Sequence, residues 1–172
     1  MKLWKGIVIL VVLVAVNVLA QSVVCRWDMT DDKRYSISAP TKALLQELDA
    51  PLEVSIILDG DLNPGFQRLK KATYEMVEEL GVYSGDNWKI KQLSNETIGL
   101  LEEEIREQLQ PIVIHERTHK GQTAQTTVYP YALVTYGNRT QIVHLLQNQR
   151  GLSGEENLNN SIENLEYAFA EA

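Results

Sequence analysis

The stretch Leu52–Gly85, LEVSIILDGDLNPGFQRLKKATYEMVEELGVYSG, decides the fold because it holds a strand, a turn and a long helix in succession. Residues 52–58 are rich in β-branched side chains and apolar on both faces at Ile56 and Ile57, which predicts a central strand covered on both sides. Asn63-Pro64 is typical of a helix start, and Gly85 can end that helix. Its apolar stripe comprises Phe66, Leu69, Thr73, Met76, Val77, Leu80 and Tyr83.

The chain that follows continues to alternate between the two kinds of element. Apolar and polar residues alternate over 88–93, which predicts a strand. Apolar residues recur at helical spacing over 98–109, which predicts a helix. Residues 111–114 predict a further strand, 118–127 a loop, and 131–136 with 140–145 a hairpin around Gly137-Asn138. Ser153–Glu156 matches a capping box that opens a last helix with a stripe of Leu158, Ile162, Leu165 and Phe169.

This order predicts an α/β domain with a mixed sheet flanked by helices, in a thioredoxin-like layout with an additional strand. The single cysteine, Cys25, leaves no Cys-x-x-Cys pair, which excludes thioredoxin redox chemistry. The last helix ends at Phe169-Ala-Glu-Ala172 without a C-cap signal, so we expect the C-terminal helix to be truncated and the chain to be the front part of a longer protein.

The N-terminal run Gly6–Val24 carries no charge over 19 residues, close to the length that spans a bilayer. It predicts one N-terminal transmembrane helix. Lys2 and Lys5 before it predict a cytoplasmic N-terminus, and so a single-pass protein of the cytoplasmic (inner) membrane with its body in the periplasm. An alternative is a signal peptide cleaved after Ala20, which would release the product.

Three regions follow from these patterns. Residues 1–25 are predicted as a membrane anchor, and 26–50 as a juxtamembrane segment with a first helix that starts near Ser38 and Pro40. Residues 51–172 are predicted as the extracytoplasmic α/β domain. The formal net charge of −7 and the lack of a basic patch exclude nucleic acid as a partner.

The most conspicuous motif is His115-Glu116-Arg117-Thr118-His119, a match to H-E-x-x-H. Zinc proteases carry this motif on a helix, where both histidines face the metal and the glutamate activates water. Here a strand-like run precedes it and Gly121 follows it. A zinc hydrolase is therefore the weakest of the functional hypotheses, and we assign no metal, no cofactor and no catalytic residue.

Asp59-Gly60-Asp61 follows the predicted central strand, where α/β domains place their ligands. Two carboxylates can hold a cation, but a tight turn with favourable contacts to the following helix dipole is the simpler interpretation. Residues that bind a small ligand stay unknown at this stage.

Three segments carry a family resemblance: Arg34–Lys42, Val54–Leu80 with Leu58-Asp-Gly-Asp-Leu62, and Asn159–Phe169 with its Ser-Ile-Glu-Asn-Leu-Glu-Tyr run. The chain resembles the N-terminal part of the GldG family, the gliding-motility-associated auxiliary component of an ABC transporter. The resemblance implies a non-enzymatic subunit that acts through protein–protein contacts with permease and ATPase subunits, besides the lipid contact of its anchor. The alternative is a secreted or tethered protein that binds a small ligand.

Overall fold

The computed structural model describes residues 4–5, 8–14, 37–117 and 123–172. The chain divides into two compact units, Met1–Ser36 and Ile37–Ala172. In the second unit the helices are α1 Ala39–Gln46, α2 Pro64–Ser84, α3 Glu103–Gln108, α4 Gly154–Glu163 and α5 Leu165–Ala170, with 3-10 turns at Gly85–Asn87 and Asn95–Leu100. The strands are β1 Leu52–Ile56, β2 Trp88–Gln92, β3 Ile112–Arg117, β4 Thr123–Val128, β5 Tyr131–Tyr136 and β6 Arg139–His144.

Four strands form a mixed sheet in the order β2-β1-β5-β6. β1 runs parallel to β2 and antiparallel to β5, and β5 and β6 form the antiparallel hairpin. The predicted mixed sheet within an α/β domain is therefore confirmed. Between the βαβ unit and the hairpin, β3 and β4 form a sheet of their own, and the thioredoxin-like layout stays a prediction.

The sheet has two differently covered faces. On the first, which we name the helix face, side chains such as Val54, Ile56 and Val134 share one core cluster with residues of α1, α2, α4 and α5. On the second, which we name the turn face, Ile57, Leu133 and Tyr131 form a smaller cluster with Ile98 and Leu109. The alternation along β1 and β5 directs neighbouring residues to opposite faces, so both sides of the central strand are buried as predicted.

Local chemistry explains the main helix boundaries. The Asn63 side chain accepts from the Phe66 amide at 2.9 Å and caps α2, whose last residue is followed by Gly85 at φ 68°. The capping box of α4 is complete, since the Ser153 hydroxyl and the Glu156 carboxylate each accept from the other residue's backbone amide. These two helices begin where the sequence predicts.

Two elements differ from the prediction. The stripe at 98–109 is not one helix but a 3-10 turn and the short α3, separated at Leu101, whose ψ of 156° is extended. The predicted loop at 118–127 contains β4, which pairs with β3 in a separate two-stranded sheet. The Thr, Gln and Gly residues of this segment favour a loop by local propensity. Pairing with β3 satisfies the backbone hydrogen bonds of β4, and Ile114 and Val128 are buried in the helix-face core, so the segment forms a strand.

The prediction of a transmembrane helix is wrong. Residues 8–14 are helical. No helix within the described ranges is both long and apolar enough to cross a membrane. This finding contradicts the fold prediction that included an anchor at 1–25 and the predicted location in the inner membrane with a periplasmic body. Residues 6–7 and 15–24 of the predicted span, which include Ala20, lie outside the described residues, as does Cys25.

Candidate functional site

The turn after β1 lies at the carboxyl ends of β1 and β2, where the sequence analysis placed a candidate ligand site. Ile57 and Leu58 are fully buried, and the chain then turns through Asp59 and Gly60, the latter at φ 113°. That backbone conformation favours glycine, because a Cβ in this region is strained. The turn delivers the chain to the Asn63 cap of α2 and leaves Asp59 beside the second turn of that helix.

Asp59 is engaged by α2. The Lys70 ammonium donates to the Asp59 carboxylate at 2.8 Å, and both side chains are only about one-third exposed. This hydrogen bond, aided by the Gly60 amide and opposed by partial burial, holds the pKa of Asp59 below its ordinary value. Lys70 thus neutralises the carboxylate that the sequence suggested for a cation.

Asp61 does not complete a metal site with Asp59. Its side chain is exposed, and no group of three or more His, Cys, Asp or Glu residues in the described part of the chain is arranged to hold a metal ion. Asp59-Gly60-Asp61 forms a turn in which the partly buried Asp59 carboxylate is paired with Lys70 of α2.

Tyr74 and Gln92 extend the site towards β2. The Tyr74 hydroxyl donates to the Gln92 side-chain carbonyl, while the Gln92 amide donates to the backbone carbonyls of Leu93 at 3.1 Å and Leu58 at 3.5 Å. Burial and, secondarily, the Asp59 charge raise the pKa of Tyr74. At neutral pH Asp59 is therefore ionised and Tyr74 protonated, and neither is poised for proton transfer near pH 7.

Asn95 connects the site to the two-stranded sheet. Its side-chain amide donates to the backbone carbonyls of Asp59 and Thr127, each at 3.4 Å. Its Oδ1 atom is buried and has no hydrogen-bond partner among the described residues. Asn95 thus links the β1–α2 turn, the 3-10 turn Asn95–Leu100 and β4 at one point.

Sequence reasoning located this turn but missed four of its polar residues: Lys70, Tyr74, Gln92 and Asn95. Lys70 and Tyr74 lie four residues apart on α2, which places them on one face. That spacing was a readable signal for the pair. Gln92 is the last residue of β2 and Asn95 follows the strand, neither within any motif, so only the parallel pairing of β1 and β2 brings them to Asp59.

The H-E-x-x-H motif does not have the context of a zinc protease. His115, Glu116 and Arg117 belong to β3, whose backbone pairs with β4 at Gln125, Ala124 and Thr123. A strand cannot place two histidines and a glutamate as the helical motif does. Thr118 and His119 lie outside the described residues, so the structure describes only the first three residues of the motif.

Comparison with known proteins yields one match. The family described as "Domain of unknown function (DUF7088)" matches residues 31–135, more than half of the chain, from before α1 to the end of β5. The chain therefore belongs to this family. No curated protein matches it. No solved structure matches it either.

Proposed function

We propose that this member of the DUF7088 family is a non-enzymatic auxiliary component of an ABC transporter complex, which acts through protein–protein contacts with the permease and ATPase subunits. The proposal begins from the likeness to the GldG family. That likeness is carried by the strand–turn–helix Val54–Leu80 and the C-terminal run Asn159–Phe169. A role in gliding motility is part of the same proposal.

The observation that carries the non-enzymatic part is the state of the β1–α2 turn. Asp59 is paired with Lys70, and Tyr74 donates to Gln92, so the polar groups at the usual ligand position of an α/β domain bond mainly to one another. The pKa shifts of Asp59 and Tyr74 move both groups away from neutral pH, which removes them as general acid or base. These bonds stabilise the fold of the domain. We therefore propose that partner subunits bind to the surface of the domain.

Two exposed apolar side chains are suitable positions for substitutions that test whether that surface binds partners. Leu100, at the end of the 3-10 turn, is 85% exposed, and Tyr167, on α5, is 65% exposed. Single exposed apolar residues are common, so each is tested separately and not assumed to form a patch.

The experiment is co-purification of the tagged full chain from its native cells after mild cross-linking, with identification of partners by mass spectrometry. We expect permease and ATPase subunits at levels well above an untagged control. Leu100→Glu and Tyr167→Glu are then compared with Gln46→Glu, which adds the same charge at an exposed position of α1. Repeated purification of the wild-type chain without any transporter subunit would contradict the proposal.

A second candidate, binding of a small ligand, is favoured by the unpartnered Asn95 Oδ1 beside Asp59. A ligand with a hydrogen-bond donor would satisfy that acceptor. Native mass spectrometry of the protein purified from its source separates the two candidates. Extra mass from a bound ligand that is lost in Asn95→Ala supports ligand binding. A protein that carries no extra mass and co-purifies with transporter subunits supports the first proposal.

A further inference from the structure

The last helix of the chain is bonded to the residues with which the second compact unit begins. Glu166 lies in the first turn of α5, and its Oε1 atom accepts from the Ser38 backbone amide at 2.9 Å and from the Thr41 hydroxyl at 2.7 Å. These partners are 128 and 125 residues away in sequence. One carboxylate oxygen therefore joins the two ends of the 37–172 unit.

Its partners are the residues that start α1. Ser38 is the N-cap of that helix, its hydroxyl accepts from the Thr41 amide at 3.4 Å, and the two hydroxyls are 2.9 Å apart. Ile37, immediately before the cap, is 3% exposed and belongs to the helix-face core. The boundary between the compact units falls between residues 36 and 37. Glu166 thus bonds the first residues of the second unit.

Charge favours the same arrangement. Burial by itself raises the pKa of Glu166, but the Ser38 amide, the Thr41 and Ser38 hydroxyls and nearby Lys42 together lower it below its ordinary value. Lys42 also lies over the Tyr83 ring of α2, 4.7 Å from its centroid. An ionised acceptor makes stronger hydrogen bonds than a neutral one, so the ionised carboxylate is the form suited to hold both donors.

We infer that Glu166 is a latch that couples the C-terminal helix α5 to the start of α1, so that release of either end frees the other while the sheet stays folded. The coupling is local because the contacts that join the start of α1 to α5 are the linked hydroxyl, amide and carboxylate contacts of Ser38, Thr41 and Glu166. The sheet strands make none of these contacts. The inference does not depend on the proposed transporter function.

Hydrogen exchange of the full chain, measured by mass spectrometry, tests the latch. Glu166→Ala removes both hydrogen bonds, and we expect peptides that cover residues 37–46 to exchange at least roughly tenfold faster, which corresponds to about 1.4 kcal/mol. Peptides of β1 and β5 are expected to keep their protection. Glu166→Gln keeps an Oε1 acceptor without the charge, so its effect is expected to be intermediate. Glu171→Gln, an exposed carboxylate just after α5, is the matched control and is expected to change nothing.

Reciprocity gives a second, independent readout, because a coupling between two sites acts equally in both directions. Thr41→Val removes the donor hydroxyl without touching α5, and we expect faster exchange in residues 165–170. Unchanged protection of 37–46 in Glu166→Ala, or of 165–170 in Thr41→Val, would overturn the inference. A uniform increase over the strands in both variants would overturn it too, since it would show a loss of global stability and not a local release.

Discussion

The helix face and the turn face of the sheet are covered by different kinds of secondary-structure element. The helix face is covered by α1, α2, α4 and α5, and Leu69 of α2 lies at its centre with no exposed surface. The turn face is covered by a 3-10 turn, the six-residue α3 and Leu109, with Ile98 as its buried contact from the turn. Four helices that include the 21-residue α2 therefore cover one face, and a 3-10 turn with one short helix covers the other.

This difference has an energetic consequence. A helix of 21 residues cannot shift one side chain without moving its neighbours, so a cavity beneath α2 stays open. A surface turn of six residues can move inward and fill part of a cavity. We therefore expect equal truncations to cost more on the helix face than on the turn face.

The largest expected effect is that of Leu69→Ala, which should lower the free energy of unfolding by about 2–5 kcal/mol. Ile98→Ala on the turn face should cost about 2 kcal/mol, at the lower end of that range. Urea unfolding of the full chain, followed by circular dichroism, measures both. Leu44→Ala, on a side chain 51% exposed, is the control and should change stability little. An Ile98→Ala loss as large as that of Leu69→Ala would break the proposed contrast between the faces.

A smaller loss is expected from Gly81→Ala on α2. A Cβ built at Gly81 would lie 2.6 Å from Trp88 Cδ1 and 2.7 Å from its Nε1, closer than real contacts allow. Overpacking of this kind costs about 1–3 kcal/mol, which exceeds the roughly 0.5–1 kcal/mol that Ala gains over Gly in a helix. Thermal unfolding should show a lower midpoint.

Gly154→Ala serves as its control, since a Cβ at the first residue of α4 meets nothing within 4 Å. That variant should be neutral or slightly stabilising. If Gly81→Ala were equally harmless, Trp88 would have room to move, and the helix face would be less tightly packed at β2 than we infer.

The smallest expected effect concerns the Asp59–Lys70 pair at the ends of the strands. Because both side chains are about one-third exposed, Lys70→Met should cost about 1 kcal/mol or less at pH 7. Asp59 has a lowered pKa in the folded state, so its contribution is present above its unfolded value of 3.8 and is lost as pH falls through the folded value. The difference between wild type and variant should therefore shrink below about pH 4.

Urea unfolding at pH 7 and at pH 3 measures this difference. Lys71→Met is the matched control, because Lys71 is 77% exposed and its Glu75 partner is 3.7 Å away. It should change stability by less than about 0.5 kcal/mol at either pH. A Lys70→Met loss that persists undiminished at pH 3 would mean that the Lys70 methylenes, and not the ion pair, provide the stabilisation.

The same contrast explains how much of the molecule could be predicted from its sequence. α2, β1 and the β5–β6 hairpin were predictable because cap, stripe and turn residues agree with one another, as at Asn63 and Gly137. The turn face was not, because Ile98, Leu101, Ile105 and Leu109 repeat at helical spacing but the chain extends at Leu101. Periodicity reports which residues are buried, not whether the backbone between them is continuous.

The candidate site shows the same limit. Asp59 was predictable from its place after a buried strand, and Lys70 with Tyr74 from helical spacing. Asn95 was not, because its partners are the backbone carbonyls of Asp59 and Thr127, which no sequence pattern marks. The membrane prediction rests on apolar composition at 6–24 alone, and no helix among the described residues is long and apolar enough to span a bilayer.

The position of β1 in the sheet also bears on the order in which the protein assembles. Its parallel neighbour β2 follows after one helix, but its antiparallel neighbour β5 is much later in the chain, with Ile56 paired to Ala132. Contacts between distant residues require closure of a long loop and form slowly. During synthesis β1 and α2 therefore emerge with one flank of the strand open. Until β5 arrives, the backbone N–H and C=O groups on that flank of Leu52–Ile56 lack their sheet partners.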